Sequence, residues 1–445
     1  MADRPTARTL LAEITTAFRE LLPEVTAQPA DGPLGWPGYD VARDAAASRT
    51  GEPESVVCGT ARIGGVEAVV IAFEFGFLGG SLGERTGDRI KAAFDTARTH
   101  RLPVVSLIAT GGSRMQEGMR ALVQLRRIAG AASRARAAGV LQLAVACDPT
   151  TGGGWATLGA GADVTLALPS VQIGFAGSRV RPPDADPSAY TAEDQLAHGH
   201  IDAIVARTSL TDALSERLTL LTSPSGNPAD PPPALHPSPG LPATGWEAVQ
   251  RARAASRPRA DAYLDAYFTH RTELSGDRCG GVDEAVTCGF GHHPGHGTIA
   301  YAAQRGLPVH PSGYRTTTRL LRLAARLGIP VLTLIDTPGA ANDALAERTG
   351  AGPSIAEVFA AVAESPVPVT TLVIGEGGSG GALALASPDR TWVTPDSYFS
   401  VIAPELATAI LKRPLEDAPA TADQLGLRPQ DLVELGFARG IVELK

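Results

Sequence analysis

Residues 373–385 read VIGEGGSGGALAL, an apolar run that meets five glycines within seven residues (375–381) and then returns to apolar sequence. Upstream, residues 106–118 read SLIATGGSRMQEG: a strand-like run, then Gly111-Gly112, then a helix-like stretch. Glycine at such a turn lets main chain or ligand approach with no Cβ in the way. A helix starting there presents N–H groups that lack intrahelical acceptors, and its dipole adds partial positive charge. The turn therefore suits a phosphate or a developing oxyanion. Neither copy carries G-x-x-x-x-G-K-[ST], and residues 375–380 form only a loose G-x-G-x-x-G. Ser113 and Ser379 lack a G-x-S-x-G setting. Close packing of helix on strand would account for a single Gly-Gly pair. The same kind of turn built twice, more than two hundred residues apart, asks for a further reason.

Around both turns the chain alternates strand-like and helix-like segments. In the first half VEAVVIAFEF (66–75), LPVVSLIAT (102–110), VLQLAVACD (140–148) and DVTLALP (163–169) read as strands. Between the first two, RTGDRIKAAFDTARTH (85–100) places Ile90, Ala93, Phe94 and Ala97 at helical spacing. In the second half GTIAYAAQ, PVLTLIDTPG and PVTTLVIGEG are strand-like, separated by RTTTRLLRLAARLG (315–328) and SIAEVFAAVAES (354–365). Such alternation predicts an α/β fold with largely parallel sheets buried on both faces. TSPSGNPADPPPALHPSPGLPATG (222–245) is too rich in Pro, Ser and Gly to continue a helix or central strand. It reads as a linker of polyproline character between domains at 1–221 and 246–445. A helix is expected over residues 9–22.

Composition bounds the rest. A chain of 445 residues exceeds one ordinary core, and 44% hydrophobic with 19% charged residues describes a globular protein. A net charge of −8 argues against general affinity for nucleic acid. Cys58, Cys147, Cys279 and Cys288 form no C-x-x-C pair. The N-terminal residues carry acids and lack the apolar core of a signal peptide, and no run reaches the ~18 to 20 apolar residues of a membrane span. The expected setting is cytoplasmic.

FGFLGGSLGERTGDRI, LIATGGSRMQEG, VACDPTTGGGWATLGAGADVTLALPSVQIGFAGSRV and HGHIDAIV closely resemble the beta subunit of acetyl-CoA carboxylase carboxyltransferase. WEAVQRARAASRPRADAYLD, ELSGDR, LTLIDTPGA, VIGEGGSGGALAL and DSYFSVIAPELATAIL resemble its alpha subunit. The resemblance spans most of the chain, in order, on both sides of the linker. It implies a fused beta–alpha carboxyltransferase of the crotonase superfamily, with two crotonase-like domains of ββα repeats in tandem. It also implies transfer of a carboxyl group from carboxybiotin to an acyl-CoA, most simply acetyl-CoA to malonyl-CoA, through an enolate.

In that family two backbone oxyanion holes serve the thioester and the biotin ureido oxygen. By resemblance, the catalytic positions here are Gly111 and Gly112 in the first half and Gly380, Gly381 and Ala382 in the second. Gly79, Gly80, Gly152, Gly153, Gly377 and Gly378 would line the binding of acyl-CoA and carboxybiotin. The family's site lies between an N-type half of one subunit and a C-type half of another, which implies a homo-oligomer, with a dimer as the minimum and a hexamer as one possible assembly. The chain has no A-M-K-M biotinylation sequence, so biotin carboxyl carrier protein and biotin carboxylase would be separate partners. The alternatives are a biotin-independent decarboxylase of a malonyl thioester and a non-catalytic scaffold.

Departures from the family pattern are specific. The resemblance begins beyond the four-cysteine zinc ribbon of the beta subunit. After DTPGA, the family's tyrosine, proline and glycine give way to Ala341-Asn342-Asp343. Leu383-Ala384 stands where propionyl-type relatives have Tyr-Asp. His292, His293 and His296 have the look of a metal motif, but no carboxylate or cysteine completes it, and a solvated turn is the better reading. Arg85, Arg89 and Lys91 read as cations on a wet helix face. Arg114 and Glu117 read as an ion pair bracing the turn. No metal is expected. Elemental analysis of the purified chain should therefore find no stoichiometric zinc, and the fold should survive chelator; one zinc per chain with unfolding on chelation would reverse this.

Overall fold

The computed structural model describes residues 4–23, 27–236 and 240–444. The chain divides into two compact units, Met1–Thr222 and Ser223–Lys445. In the first, strands β1 (Thr16–Glu20), β2 (Val56–Ile63), β3 (Val66–Phe73), β4 (Val104–Thr110), β5 (Gln142–Thr151), β6 (Val164–Ala167) and β8 (Ala203–Ile204) are neighbours in that order, and β7 (Ile173–Gly174) pairs with β5. Pairing is antiparallel from β1 to β3 and parallel from β3 onward. In the second, the order is β14 (Thr391–Val393), β13 (Val369–Gly378), β12 (Val331–Thr337), β11 (Gly297–Gln304), β10 (Val286–His293) and β9 (His270–Glu273), with β15 (Tyr398–Ser400) on β13.

The central parts of the two frames match in length. β2 and β10 have eight residues each, β3 and β11 eight, β4 and β12 seven, β5 and β13 ten. Helices Glu84–His100 and Pro311–Leu327 have 17 each. One interval of 227 residues separates Glu84 from Pro311, Val104 from Val331, Gln142 from Val369 and Gly152 from Ser379. The register agrees: Val69 faces Val104 as Ala300 faces Val331.

Burial explains why these segments take these forms. All seven residues of β4 and of β12 are buried, so a continuous apolar run serves a strand covered on both faces. Ile90, Ala93, Phe94 and Ala97 form the buried stripe of helix Glu84–His100, as their spacing requires.

Three sequence expectations need correction. The N-terminal segment is a helix over Ala7–Ile14 followed by β1, because Thr15, Thr16 and Phe18 favour extended chain and the β2 edge accepts it. Residues 224–235 run along the second unit: Ala229 is fully buried, its carbonyl accepts from Thr370 Oγ1 at 2.8 Å, and Ala234 N–H donates to Glu443 O at 3.0 Å. Arg89 is buried, within 3.4 Å of Glu20 and 3.3 Å of the Val56 carbonyl.

The first unit is tied by one buried guanidinium. Arg114, fully enclosed, holds both Glu54 oxygens at 2.9 and 2.8 Å, Glu117 at 3.3 Å and the Ser81 carbonyl at 2.9 Å. Glu117 accepts from Tyr39 Oη and, at 2.5 Å, from Glu84 N–H, so it also caps helix Glu84–His100. The bracing pair read from sequence is thus part of a larger network. Burial alone would raise the Glu54 carboxyl, but Arg114 and donors from Ser55 and Thr86 hold it below the usual range. A depressed carboxylate contributes stability that is full above its unfolded pKa and is lost as pH falls through its folded pKa. Glu54→Gln should therefore cost about 3 to 5 kcal/mol at neutral pH, by stranding Arg114, and should flatten the acid limb of the stability curve. Urea melts from pH 3 to 7 check both; an unchanged acid limb would refute the assignment.

Candidate functional site

The glycine-rich turns gather at the ends of the central strands. In the first unit Gly111 N–H donates to Gly79 O at 2.9 Å, and Leu82 N–H to Gly112 O at 2.9 Å. A Cβ on Gly80 would lie 2.0 Å from Ala109 O, and one on Gly152 would lie 3.2 Å from Gly112 Cα. Gly79, Gly80, Gly111, Gly112 and Gly152 are therefore neighbours in one crevice walled by main chain. Gly153 stands beside them, against Leu125.

The second unit builds the same crevice from different residues. Val309 N–H donates to Gly339 O at 3.1 Å and Ala341 N–H to Val309 O at 2.9 Å. A Cβ on Gly378 would fall 2.0 Å from Pro338 O, and one on Gly381 would fall 2.5 Å from Ala340 N. Gly377 lies under Phe399. Gly380 is open, with nothing within 4 Å of a Cβ.

The 227-residue interval corrects which turns are equivalent. Gly111-Gly112 corresponds to Pro338-Gly339: Gly112 N–H bonds Thr110 Oγ1 and Gly339 N–H bonds Thr337 Oγ1, both at 3.1 Å. Gly380-Gly381 corresponds to Gly153-Gly154. The first Gly-Gly pair does not feed a helix directly, since a 3₁₀ turn, Met115–Glu117, precedes helix Met119–Ala137. Its two N–H groups are not left unpaired, because the loop before them and Thr110 supply acceptors. The true helix starts follow β5 and β13, at Gly152–Gly154 and Ser379–Leu383. Each is headed by a residue in the left-handed region, Gly152 at φ +62° and Ser379 at φ +57°. For serine that conformation is a local strain. The sequence presents Ser379 only as a candidate nucleophile and gives Thr110 and Thr337 no separate role.

Behind the second turn lies a buried ion pair. Arg257 Nη2 reaches both Asp336 oxygens at 2.8 and 2.9 Å, Arg257 Nη1 reaches Ile374 O at 2.9 Å, and Asp336 accepts Glu376 N–H at 3.1 Å. Gly375 is required beside them, since a Cβ would sit 2.4 Å from both groups. The departing residues Ala341-Asn342-Asp343 line a cavity of about 260 Å³ together with Asp283, Leu307 and His310. Leu383 is 40% exposed, whereas Ala384 is buried.

Among the described residues, cysteine thiols and metal ligands do not converge on these turns. Cys58, Cys147 and Cys288 are enclosed, and burial pushes their thiols up to about 12. The histidines of the GHHPGHG turn are split by strand alternation: His292 stacks with His270, while His293 lies between Tyr267 and His296. Among the described residues no three His, Cys, Asp or Glu side chains are grouped so as to hold a metal. No helix among them is long and apolar enough to cross a membrane.

Residues 38–223 match the carboxyl transferase domain family, and residues 242–444 match the acetyl co-enzyme A carboxylase carboxyltransferase-like family. Acetyl-coenzyme A carboxylase carboxyl transferase subunits beta/alpha of Salinispora tropica is 38% identical, over 96% of this chain and 79% of its own length. The chain belongs to the acetyl-CoA carboxylase carboxyltransferase family. It is a biotin-dependent acyl-CoA carboxyltransferase of that type, with the beta-like and alpha-like parts in one polypeptide. The "Probable biotin-dependent acyl-coenzyme A carboxylase beta3 subunit" of Mycobacterium bovis is 36% identical over 92% of this chain and 84% of that one. Among solved structures, transcarboxylase 12S superposes with a TM-score of 0.80 at 18% identity, covering 99% of this chain and 87% of that one. A single-chain long-chain acyl-CoA carboxylase gives 0.75 at 19% identity, covering 99% and 46%. The carboxyltransferase thus has the tandem crotonase-like fold expected from its sequence.

The crevices separate glycines that packing demands from those it does not. Gly378→Ala would drive a Cβ into the Pro338 carbonyl and should cost about 1 to 3 kcal/mol or more. Gly380→Ala, in open space, and Gly111→Ala, whose nearest atom is Gly79 O at 3.4 Å, should stay within about 1 kcal/mol of wild type. Thermal unfolding of the three variants checks the order.

Proposed function

We propose that this carboxyltransferase moves a carboxyl group from carboxybiotin, carried on a separate biotin carboxyl carrier protein charged by biotin carboxylase, to acetyl-CoA, giving malonyl-CoA. Carboxybiotin supplies the carbon dioxide and, once it is released, the base that takes the α proton of the thioester. The protein's task is then to hold two oxygens as charge develops on them, and the backbone turns are fitted to it. In the first unit the Gly152-Gly153 turn would hold the thioester oxygen, walled by the Gly111-Gly112 loop, whose own N–H groups are bonded to Gly79 O and Thr110 Oγ1, with Gly79 and Gly80 beneath. In the second, Gly380, Gly381 and Ala382 would hold the ureido oxygen, with Gly377 and Gly378 leading in. Preorganised N–H donors of this kind are worth about 3 to 4 kcal/mol each.

The observation that carries the reading is the repeated helix start at one place in both units, headed by a left-handed residue and followed by glycine. Open space over Gly380 leaves room for a ligand to approach the main chain. The absence of a converging nucleophile among the described residues suits chemistry in which no side chain forms a covalent bond. Exposed Leu383 at the second turn offers an apolar contact beside it. A homo-oligomer, with the dimer as its minimal active unit, completes the proposal.

The test is carboxylation of a panel of acyl-CoAs by the purified protein with a biotinylated carrier or free biotin. Acetyl-CoA should be the preferred acceptor. Gly380→Ala should fold normally and lose carboxylation about 10²-fold, because its methyl group occupies the approach to the turn. Consumption of malonyl thioester without biotin, and no carboxylation of any acyl-CoA, would sink the reading in favour of a decarboxylase.

A further inference from the structure

The one-turn helix Ser379–Leu383 has five residues, too few to hold its own orientation in solution. Its direction depends on what grips it. Gly378 ties its start to β13, which pairs there with β15. At its other end the Gly381 carbonyl accepts from two side chains, Tyr314 Oη at 3.1 Å and Gln304 Nε2 at 3.3 Å. Both side chains are fully buried. Burial, with the Asp283 charge adding to it, raises the Tyr314 hydroxyl above its ordinary value, so the group stays protonated and donates. Gln304 Oε1 has no hydrogen-bond partner among the described residues. A side chain serving packing alone would be apolar at this depth, since an unmet carboxamide oxygen costs free energy there.

The first unit shows that the frame does not require these groups. The residues in the same positions, at the end of β3 and in the first turn of helix Glu84–His100, are Phe73 and Gly87. There the side-chain bond falls one carbonyl earlier, at the counterpart of Gly380: Thr157 Oγ1 donates to Gly153 O at 2.7 Å, from within its own segment. The two units thus share a backbone, but only the second clamps its helix start from β11 and from helix Pro311–Leu327.

We propose that Gln304 and Tyr314 are positioning residues of the carboxyltransferase, clamping the Gly381 carbonyl so that the N–H groups of Gly380, Gly381 and Ala382 keep a fixed direction. This rests on the second turn serving as an oxyanion site. Neither side chain touches the reacting atoms. Their effect on rate comes through the angle at which the main-chain donors meet an oxygen whose charge grows only in the transition state. Loss of the clamp therefore lowers kcat and leaves KM for acyl-CoA nearly unchanged.

The test uses the full chain with Tyr314→Phe and Gln304→Met, each of which removes a donor while keeping bulk. Two measurements are made on each: steady-state carboxylation with kcat and KM separated, and deuterium uptake of the peptide covering 378–386. Each variant should lose about tenfold in kcat, the size of one neutral hydrogen bond, with KM within about twofold of wild type. Uptake across 378–386 should rise in both. Because both donors share one carbonyl, the double variant should lose less than the product of the two single losses. Wild-type uptake in both variants overturns the clamp, whether or not the protein carboxylates. Faster uptake with wild-type kcat, or a change in KM alone, overturns its role in the reaction. A wild-type chain inactive on every acyl-CoA defeats the functional reading instead, and uptake then decides the clamp by itself.

Discussion

Main chain lies directly against main chain where the central strands end. In the first unit Gly80 touches the Ala109 carbonyl; in the second Gly378 touches the Pro338 carbonyl, each so closely that a Cβ would sit 2.0 Å from the oxygen. In the first unit this contact joins the loop after β3 to β4, beside the bridge Leu82 to Ser113; in the second it joins the end of β13 to the loop after β12, which is bridged to the loop after β11 through Val309 and Ala340. Everything else near the site is arranged around that contact. Side chains are displaced from the crevice, leaving a surface of peptide groups, and such a surface can stabilise charge on an oxygen without any residue being consumed.

Two buried ion clusters hold the loops in place. Arg114 with Glu54 and Glu117 stands under the first crevice, and Arg257 with Asp336 stands under the second. Buried pairs of this sort add little net stability relative to an apolar core, because desolvation offsets their attraction. What they provide here is direction. Asp336 accepts from the Glu376 amide, and Arg257 donates to the Ile374 carbonyl, so the strand leading into the Gly377–Ala382 turn is fixed at two successive peptides. Glu117 acts likewise on the first amide of helix Glu84–His100.

The two units share the lengths of four central strands and one helix yet have different fittings. Gly87 leaves room for the side chain of Gln124 to pack close by, where Tyr314 in the second unit fills the position and reaches the Gly381 carbonyl. Phe73 gives apolar bulk where Gln304 gives a donor. A repeated frame therefore carries two turns of similar backbone and unlike support, which suits the proposal that they steady two chemically different oxygens.

Local sequence was enough to determine the fold class and the family. β-branched apolar runs alternating with segments of helical apolar spacing read as strands buried on both faces with helices laid on them. The glycines too were legible, because a glycine run between a strand and a helix signals close approach. Local sequence did not determine the pairing of the turns. Gly111-Gly112 and Gly380-Gly381 look alike as text, yet hydrogen bonding places the first with Pro338-Gly339, and the constant interval places the second with Gly153-Gly154. The partners Gln304 and Tyr314 were equally hidden, since they lie 77 and 67 residues from Gly381 and meet it only through sheet register and helix packing. Short-range pattern fixes what each segment becomes; which peptide group is left facing outward depends on acceptors that folding brings from far along the chain.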